Sequence, residues 1–449
     1  MMLMYESSNE SVADFYAGKS VFVTGGTGYL GKVLLEKLLY SCEKLDKIYL
    51  LIREKKNVSP EKRLQNIFEQ PVFKRVKSER ADYVRKVVPI VGDISEPNLG
   101  VTQEDAKELQ EKVSVVFHVA ANIKFNEPLK VAMNTNFEGT RRVLNLCKKM
   151  KQLPTFVYVS TAFSNTNSEI IEEVIYPPPA YYEDVYTALQ QYGDNDKEIR
   201  KLWCDRPNTY TFTKALTEHY VAAQRNNIPT VIIRPSIVVP SKNEPLEGWI
   251  DNWFGATLLL VMIGKGLCRI IAGASSNSLD LIPVDYVSNL TIVAAAKCKG
   301  SDGLLVYNSC SSGANPVTFG AICRCFISES VRFKLNDIPY PTIIFTKHQW
   351  LLKTISFIIQ MIPAFFADCF LWLSGKRPRY VKLQQIALKL NNNYQYFTTR
   401  SWLMDSKKTQ ALYASLSALD QNLFPFNPVN IVWSEYLPVY YKGVKTYLF

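Results

Sequence analysis

The stretch that most constrains this chain is residues 19–40, which read KSVFVT, then GGTGYLG, then KVLLEKLLY. Lys19 to Thr24 is a short, β-branched apolar run, and from Tyr29 to Tyr40 apolar residues recur at helical spacing, so the sequence predicts strand, tight turn, helix. The glycines between them satisfy two templates, GxGxxG from Gly26 and TGxxGxxG from Thr24. Glycine is required where a chain turns with positive φ and where backbone must approach a pyrophosphate, and the following helix N-terminus offers free N–H groups to phosphate. A dinucleotide site is expected, with Thr24, Gly25, Thr27, Gly28, Tyr29, Leu30 and Gly31 as its candidate contacts.

Further apolar runs follow at Lys47–Arg53, Val87–Asp93, Val113–Ala121, Thr155–Ser160 and Thr230–Arg234, with helical stretches such as Thr140–Met150 between later ones. Continuously apolar strands that alternate with helices predict an α/β fold with a doubly wound, parallel Rossmann-type sheet, whose ligands lie at the strands' carboxyl ends. Asp93, Ile94, Ala120 and Pro235, at or just after such ends, complete the candidate cofactor set. An acidic residue at the end of the second strand would grip the ribose hydroxyl of NAD; Arg53 stands there instead and would welcome a 2′-phosphate, so NADPH is the expected cofactor. A net charge of +11 also points to an anionic partner. The nine cysteines include no CxxC pair and there are only three histidines, so neither a metal site nor a disulfide framework is expected.

Beyond residue 330 the rhythm breaks. Trp350–Leu373 (WLLKTISFIIQMIPAFFADCFLWL) is apolar and, as a helix, spans roughly 35 Å. Lys353, Gln360, Pro363 and Asp368 interrupt it, so three readings stand open: a membrane span, an interfacial segment, and a helical hairpin buried in a soluble domain. Lys376-Arg377-Pro378-Arg379 directly afterwards favours membrane contact with a cytosolic flank. The expected division is a nucleotide-binding and catalytic part at 15–335, a hydrophobic segment at 336–379, and the rest of a smaller helical domain at 380–449. The N-terminal residues lack a secretory signal pattern, so a cytosolic start is expected.

Asn208-Thr209-Tyr210-Thr211-Phe212-Thr213-Lys214 contains Tyr-x-x-x-Lys, which on a helix puts phenol and ammonium on one face. With the glycine turn and with Ser160-Thr161-Ala162 closing a strand, this resembles the catalytic set of the extended short-chain dehydrogenase/reductase superfamily. Tyr210 would exchange a proton with the substrate oxygen, its phenol drawn towards neutral pH by Lys214. Thr161, or failing it Ser160, would hold that oxygen, and Lys214 would also grip the nicotinamide ribose. His118 is read as a packing or anchoring residue, Asn136 as a support for proton relay by resemblance, and Cys204 and the Cys323/Cys325 pair as reduced structural thiols.

A narrower resemblance covers nearly the whole chain. Val116-Phe117-His118-Val119-Ala120-Ala121, Asn134 to Thr140, Tyr158 to Asn165, Ile233-Arg234-Pro235-Ser236, Gly248-Trp249-Ile250-Asp251-Asn252 and Leu373 to Pro378 are similar to fatty acyl-CoA reductases of the insect type, and the compact C-terminus to those of moth pheromone glands. That resemblance implies reduction of a long-chain acyl-CoA to a primary alcohol by two NADPH through a bound aldehyde, at the endoplasmic reticulum membrane with the catalytic part facing the cytosol. The implied partners are acyl-CoA and a lipid membrane, with no nucleic acid; oligomeric state stays open. Two alternatives remain: a membrane-associated dehydrogenase of sterol or other lipid hydroxyls, and a non-catalytic NADP(H)-sensing protein.

Overall fold

The computed structural model describes residues 10–55, 58–193, 196–298 and 303–449; the extreme N-terminus read above for targeting lies outside them. Seven parallel strands form one sheet: β1 (Ser20–Thr24), β2 (Ile48–Ile52), β3 (Val87–Val91), β4 (Val113–His118), β5 (Thr155–Val159), β6 (Thr230–Pro235) and β7 (Leu304–Ser309). Their order is β7-β6-β5-β4-β1-β2-β3. The chain winds outward one way from β1 through β2 to β3, then returns to β4 and winds the other way, so the crevice between β1 and β4 is the switch point where such sheets bind ligands. Six strands fall where the apolar runs predicted them. The seventh, β7, extends the sheet by pairing Tyr307 with Ile233, and its apolar residues had not been read as a strand.

Successive residues of each strand enter different cores. Val21, Val23, Leu50, Val115, Phe117 and Val157 pack on one face of the sheet, whereas Phe22, Tyr49, Leu51, Val116, Phe156 and Tyr158 pack on the other. This two-sided burial explains why the strands read as unbroken apolar runs rather than alternating ones. Helices α1 (Tyr29–Ser41), α2 (Thr209–Gln224) and α4 (Val284–Lys297) belong to the layers around the sheet, whereas α3 (Thr257–Gly264) packs against the helix Phe319–Arg332; α4, buried through most of its length, lies against α1.

The hydrophobic segment forms one continuous helix, α5 (Gln349–Leu373), followed by α6 (Tyr380–Thr398). The buried-hairpin expectation is not met. Leu352, Ser356, Gln360, Ala364 and Asp368 form the ridge that touches the body, while Trp350, Phe357, Phe365, Phe366, Phe370 and Trp372 are each more than half exposed. A ridge at every fourth residue drifts around an ordinary α-helix of ~3.6 residues per turn. The wider π-type turn at Phe357–Met361 absorbs an extra residue and limits that drift. Of the interruptions noted in the sequence, Lys353 and Pro363 are exposed and two side chains point inward: Gln360 Oε1 accepts from the Arg269 N–H at 2.5 Å, and Asp368 accepts from the N–H groups of Arg379, Tyr380 and Val381 at 2.7–2.9 Å, capping α6.

Candidate active site

The glycine turn closes β1 and opens α1. Gly25 has φ +76°, and a Cβ on it would stand 2.5 Å from the Ala120 nitrogen. On Gly31 a Cβ would stand 2.2 Å from the Gly25 carbonyl oxygen. Both contacts are with backbone, which cannot step aside. The Gly26 position meets side chains alone, the end of Leu50 at 2.2 Å and Val23 at 3.5 Å, so the register from Thr24 is the one the backbone enforces. Gly28 is the N-cap of α1 and no side chain caps the helix, leaving the first N–H groups, those of Tyr29 to Gly31 among them, free for an anion. The Tyr29 side chain turns away: its ring stacks on Trp249 at 5.3 Å, and its hydroxyl lies 3.1 Å from the Val239 and Trp249 carbonyl oxygens. Only its backbone faces the turn.

Thr24 and His118 tie the two strands of the switch point together. Thr140 donates to the Asn136 carbonyl at 2.7 Å, so His118 Nε2 donates to Thr140 at 2.9 Å and its Nδ1 accepts from Thr24 at 2.7 Å. Burial, with Lys214 nearby, pushes the imidazole down to about 3. His118 is thus a neutral anchor, as the sequence reading had it. Asn136 is also fully engaged: its amide oxygen accepts from Asn122 N–H at 2.8 Å, and its amide nitrogen donates to the Asn122 carbonyl and to Thr213. It fixes the loop that leads to Phe125.

Past β2, Arg53 is 62% exposed and 3.7 Å from Asp93. Arg63, on the helix Pro60–Phe68, reaches back to donate to the Arg53 carbonyl. The Arg63 guanidinium thus joins Arg53 at the end of β2, held on its backbone carbonyl. Asp93 accepts from the N–H and hydroxyl of Ser95 at 2.9 and 2.8 Å, and Ile94 packs on Gly139.

Helix α2 begins at Asn208, whose side chain accepts from Thr211 N–H at 2.9 Å. Tyr210, Lys214 and Glu218 follow at four-residue steps on one face. The Lys214 ammonium donates to the Val159 carbonyl at 2.6 Å and lies 4.5 Å from the Tyr158 ring centroid. Burial brings its pKa down to about 7, against the pull of Glu218. Burial likewise pushes the Tyr210 phenol up to about 12, opposed by hydrogen bonding with Thr161 and reinforced by the Glu218 carboxylate. The expectation that Lys214 draws the phenol towards neutrality is therefore corrected: desolvation sets the direction, and the groups that act on the phenol are Thr161 and Glu218. Thr161 accepts from Phe163 N–H and donates to the Pro235 carbonyl at 3.4 Å. Ser160 is buried, and its hydroxyl has no hydrogen-bond partner among the described residues.

Tyr210 also forms part of the wall of an apolar cavity that encloses about 580 Å³ of empty space, its open mouth included. Phe125 and Phe163 from strand-end loops, Leu259 on α3, and Tyr394 and Phe397 on α6 line it. Phe125 stacks on the Tyr210 ring at 6.3 Å. The Tyr210 ring thus lines a greasy slot built jointly by loops of the seven-stranded sheet and a C-terminal helix.

A family model described as a male sterility protein, its NAD-binding part, matches residues 23–291, and a second with the same description matches 359–449. The chain is 37% identical to fatty acyl-CoA reductase 1 of Xenopus laevis over 446 residues, 98% of this chain and 86% of the relative. It is 36% identical to the Gallus gallus protein of that name over the same shares, and 35% identical to fatty acyl-CoA reductase 2 of Mus musculus over 97% and 86%. The chain belongs to the fatty acyl-CoA reductase family. As a member it is an oxidoreductase that uses a nicotinamide cofactor, and the sterol-dehydrogenase and cofactor-sensing alternatives fall away. Among solved structures, the terminal R domain of the myxalamid PKS-NRPS pathway matches with a TM-score of 0.66 at 18% identity, over 96% of this chain and 92% of that one. A nonribosomal peptide synthetase reductase domain from Mycobacterium tuberculosis matches at 0.58 and 18%, over 95% and 91%. At these identities the likeness concerns the fold.

Within this fatty acyl-CoA reductase, sequence reasoning missed Glu218. It is buried and bonds Arg234, itself fully buried at the end of β6, at 2.6–3.1 Å. The four-residue step from Tyr210 through Lys214 was the pattern that could have found it. Cys204 is exposed, not the buried thiol expected of it, and donates to the Pro179 carbonyl. Cys323 and Cys325 lie on one helix, reduced.

Proposed function

We propose that this chain reduces long-chain fatty acyl-CoA to the primary alcohol with two NADPH, and that Tyr210, Thr161 and Lys214 form its catalytic set. The observation that carries the reading is the position of Tyr210, whose ring lines an apolar cavity and which shares a helix with Lys214. The cofactor fits the residues present: the bare Gly25 cradle against Ala120 and the uncapped start of α1 leave room and donors for a pyrophosphate. Thr24 and the backbone from Gly25 to Gly31 would hold the phosphates, Asp93, Ile94, Ala120 and Pro235 would flank the bases, and Lys214 would grip the nicotinamide ribose. Arg53 and Arg63 together favour a 2′-phosphate, hence NADPH over NADH.

The bound nicotinamide supplies a hydride for each of the two reductions. Thr161 holds the substrate oxygen while Tyr210 gives it a proton, and a phenol that stays protonated at neutral pH suits an acid working in the reductive direction. In the resulting hemithioacetal, the Tyr210 phenolate takes back the hydroxyl proton as the carbon–sulfur bond breaks and CoA leaves as thiolate. The cavity keeps the aldehyde for the second reduction, after which Tyr210 is reprotonated from solvent. Residues 15–335 carry the cofactor and the acid, 380–449 complete the cavity wall, and 336–379 associate with the endoplasmic reticulum membrane with the catalytic part cytosolic. The test is purified protein with palmitoyl-CoA and NADPH: fatty alcohol and one free CoA per alcohol are expected, and the absence of both products removes the reading.

A further inference from the structure

Helix α5 is inverted. Its large aromatic side chains face outward while Ser356, Gln360 and Asp368 face inward, the reverse of a helix on a water-soluble body. Phe366, Phe370 and Trp372 are 66–70% exposed, and the mean hydropathy of its most apolar window is 1.7. Charge around it is equally one-sided. Between Asp337 and Asp405 the chain carries Lys347, Lys353, Lys376, Arg377, Arg379, Lys382, Lys389 and Arg400 and a single acid, Asp368. All eight cations are exposed, and Asp368 is buried as the cap of α6.

We propose that α5 docks lengthwise on an anionic phospholipid bilayer, lying in the plane of one leaflet rather than crossing it. This deepens the membrane association proposed above by naming the mode and the lipid. A crossing helix of 25 residues would be long enough, at about 37 Å. To cross, it would have to leave the body along its whole ridge, stripping Gln360 from Arg269 and Asp368 from three N–H groups and carrying both polar side chains into hydrocarbon. Lying flat, it keeps those bonds and sinks its aromatic face roughly 5–10 Å into the acyl boundary, with the cations at the headgroups. A second copy of the chain is the poorer occupant, because a two-fold contact across this face would set two like-charged rims against each other. Helix α6, capped by α5 at one end, carries Tyr394 and Phe397 of the cavity wall at the other, so the docked surface and the reducing site are joined by one rigid element.

The test uses the full chain and lipid vesicles. Flotation with phosphatidylcholine vesicles containing phosphatidylserine is expected to carry the protein up, and binding is expected to fall steeply with salt and on phosphatidylcholine alone. Phe366→Glu with Phe370→Glu should cut the bound fraction about tenfold, and Lys376→Glu with Arg377→Glu should cut it about tenfold on anionic vesicles only. Both double variants should keep the wild-type melting temperature and the wild-type NADPH oxidation with octanoyl-CoA, so a failed reductase assay and a failed docking assay are read separately. For the mode, Lys347→Cys and Lys376→Cys are placed at the two ends of α5 in sealed membranes from expressing cells. An impermeant maleimide followed by peptide mass mapping should label both from the cytosolic side. Protection of one end until detergent is added would mean a span and overturn the inference, as would unchanged binding by the Glu variants or a lipid-free dimer that hides the aromatic face.

Discussion

Helices α2 and α5 depart from the usual rule of burial in opposite directions. Helix α2 takes an ammonium and a carboxylate, Lys214 and Glu218, fully out of water, whereas α5 leaves Trp350, Phe366 and Phe370 outside. Each choice is costly in water alone. The cost on α2 is offset by specific partners, the Val159 carbonyl for Lys214 and Arg234 for Glu218. On α5 the outward face has no protein partner among the described residues, and its stability makes sense when the medium facing it is lipid. An irregularity of burial therefore points to chemistry when partners satisfy it and to a second solvent when they do not.

The sharpest way to break this reading of α2 is Tyr210→Phe, which removes one oxygen and leaves the ring against Phe125. Turnover of palmitoyl-CoA is expected to fall by about 10²–10⁴-fold, with NADPH binding, followed by its fluorescence, unchanged. Full activity in the variant would take Tyr210 out of the proton step.

Lys214→Met separates function from stability. Activity should be lost, because the ammonium that steadies the phenolate is gone, yet the cofactor-free variant should melt higher near neutral pH, since no charge has to be desolvated. The sign follows from the depressed pKa. Between about 7 and the ordinary value of 10.5, the unfolded chain binds a proton that the folded chain does not, so this group's contribution to stability rises with pH across that window. Wild type should show that rise, read as urea midpoints at several pH values, and Lys214→Met should lack it. An equal slope in both would mean that Lys214 keeps an ordinary pKa.

A smaller effect is expected at the cofactor's far end. Arg53→Ala with Arg63→Ala should lower the ratio of kcat/KM for NADPH over NADH by about 10–100-fold, as loss of two charge-assisted contacts to one phosphate implies. Little change in the ratio would assign the pair to the surface.

Legibility in the sequence tracked how local the cause was. The strand–glycine–helix start, six of the seven strands and the Tyr210 and Lys214 pair each depend on residues close in sequence, and all were readable. Helix α5 was visible as a hydrophobic run, but its inverted facing was not, because the partners of Gln360 and Asp368 lie at Arg269 and at Arg379 to Val381. Glu218 escaped for the same reason: its partner Arg234 comes from a strand sixteen residues away. The Tyr210 phenol was misjudged because spacing reveals which charges are near and says nothing about desolvation, which here is the larger effect. The cavity, assembled from residues between Phe125 and Thr398, had no local signature at all.

The mildest test bears on the inward side of α5. If its polar residues exist to fasten the helix to the body, then Asp368→Asn should cost only what a helix cap is worth, about 1 kcal/mol, and should leave vesicle binding intact. Burial raises the Asp368 pKa, but the three N–H donors at the start of α6 and the Arg379 charge outweigh it and hold the carboxyl below its ordinary value. A depressed carboxylate pKa means that the folded chain prefers the ionised form, so the contribution is fully present above the unfolded value and is lost as pH falls through the folded one. Wild type and variant should therefore differ in urea midpoint at pH 7 and converge in acid, below the ordinary carboxylate range. A variant that matches wild type at pH 7 would show that the cap adds nothing, and one that also falls off anionic vesicles would show that Asp368 shapes the docked face itself.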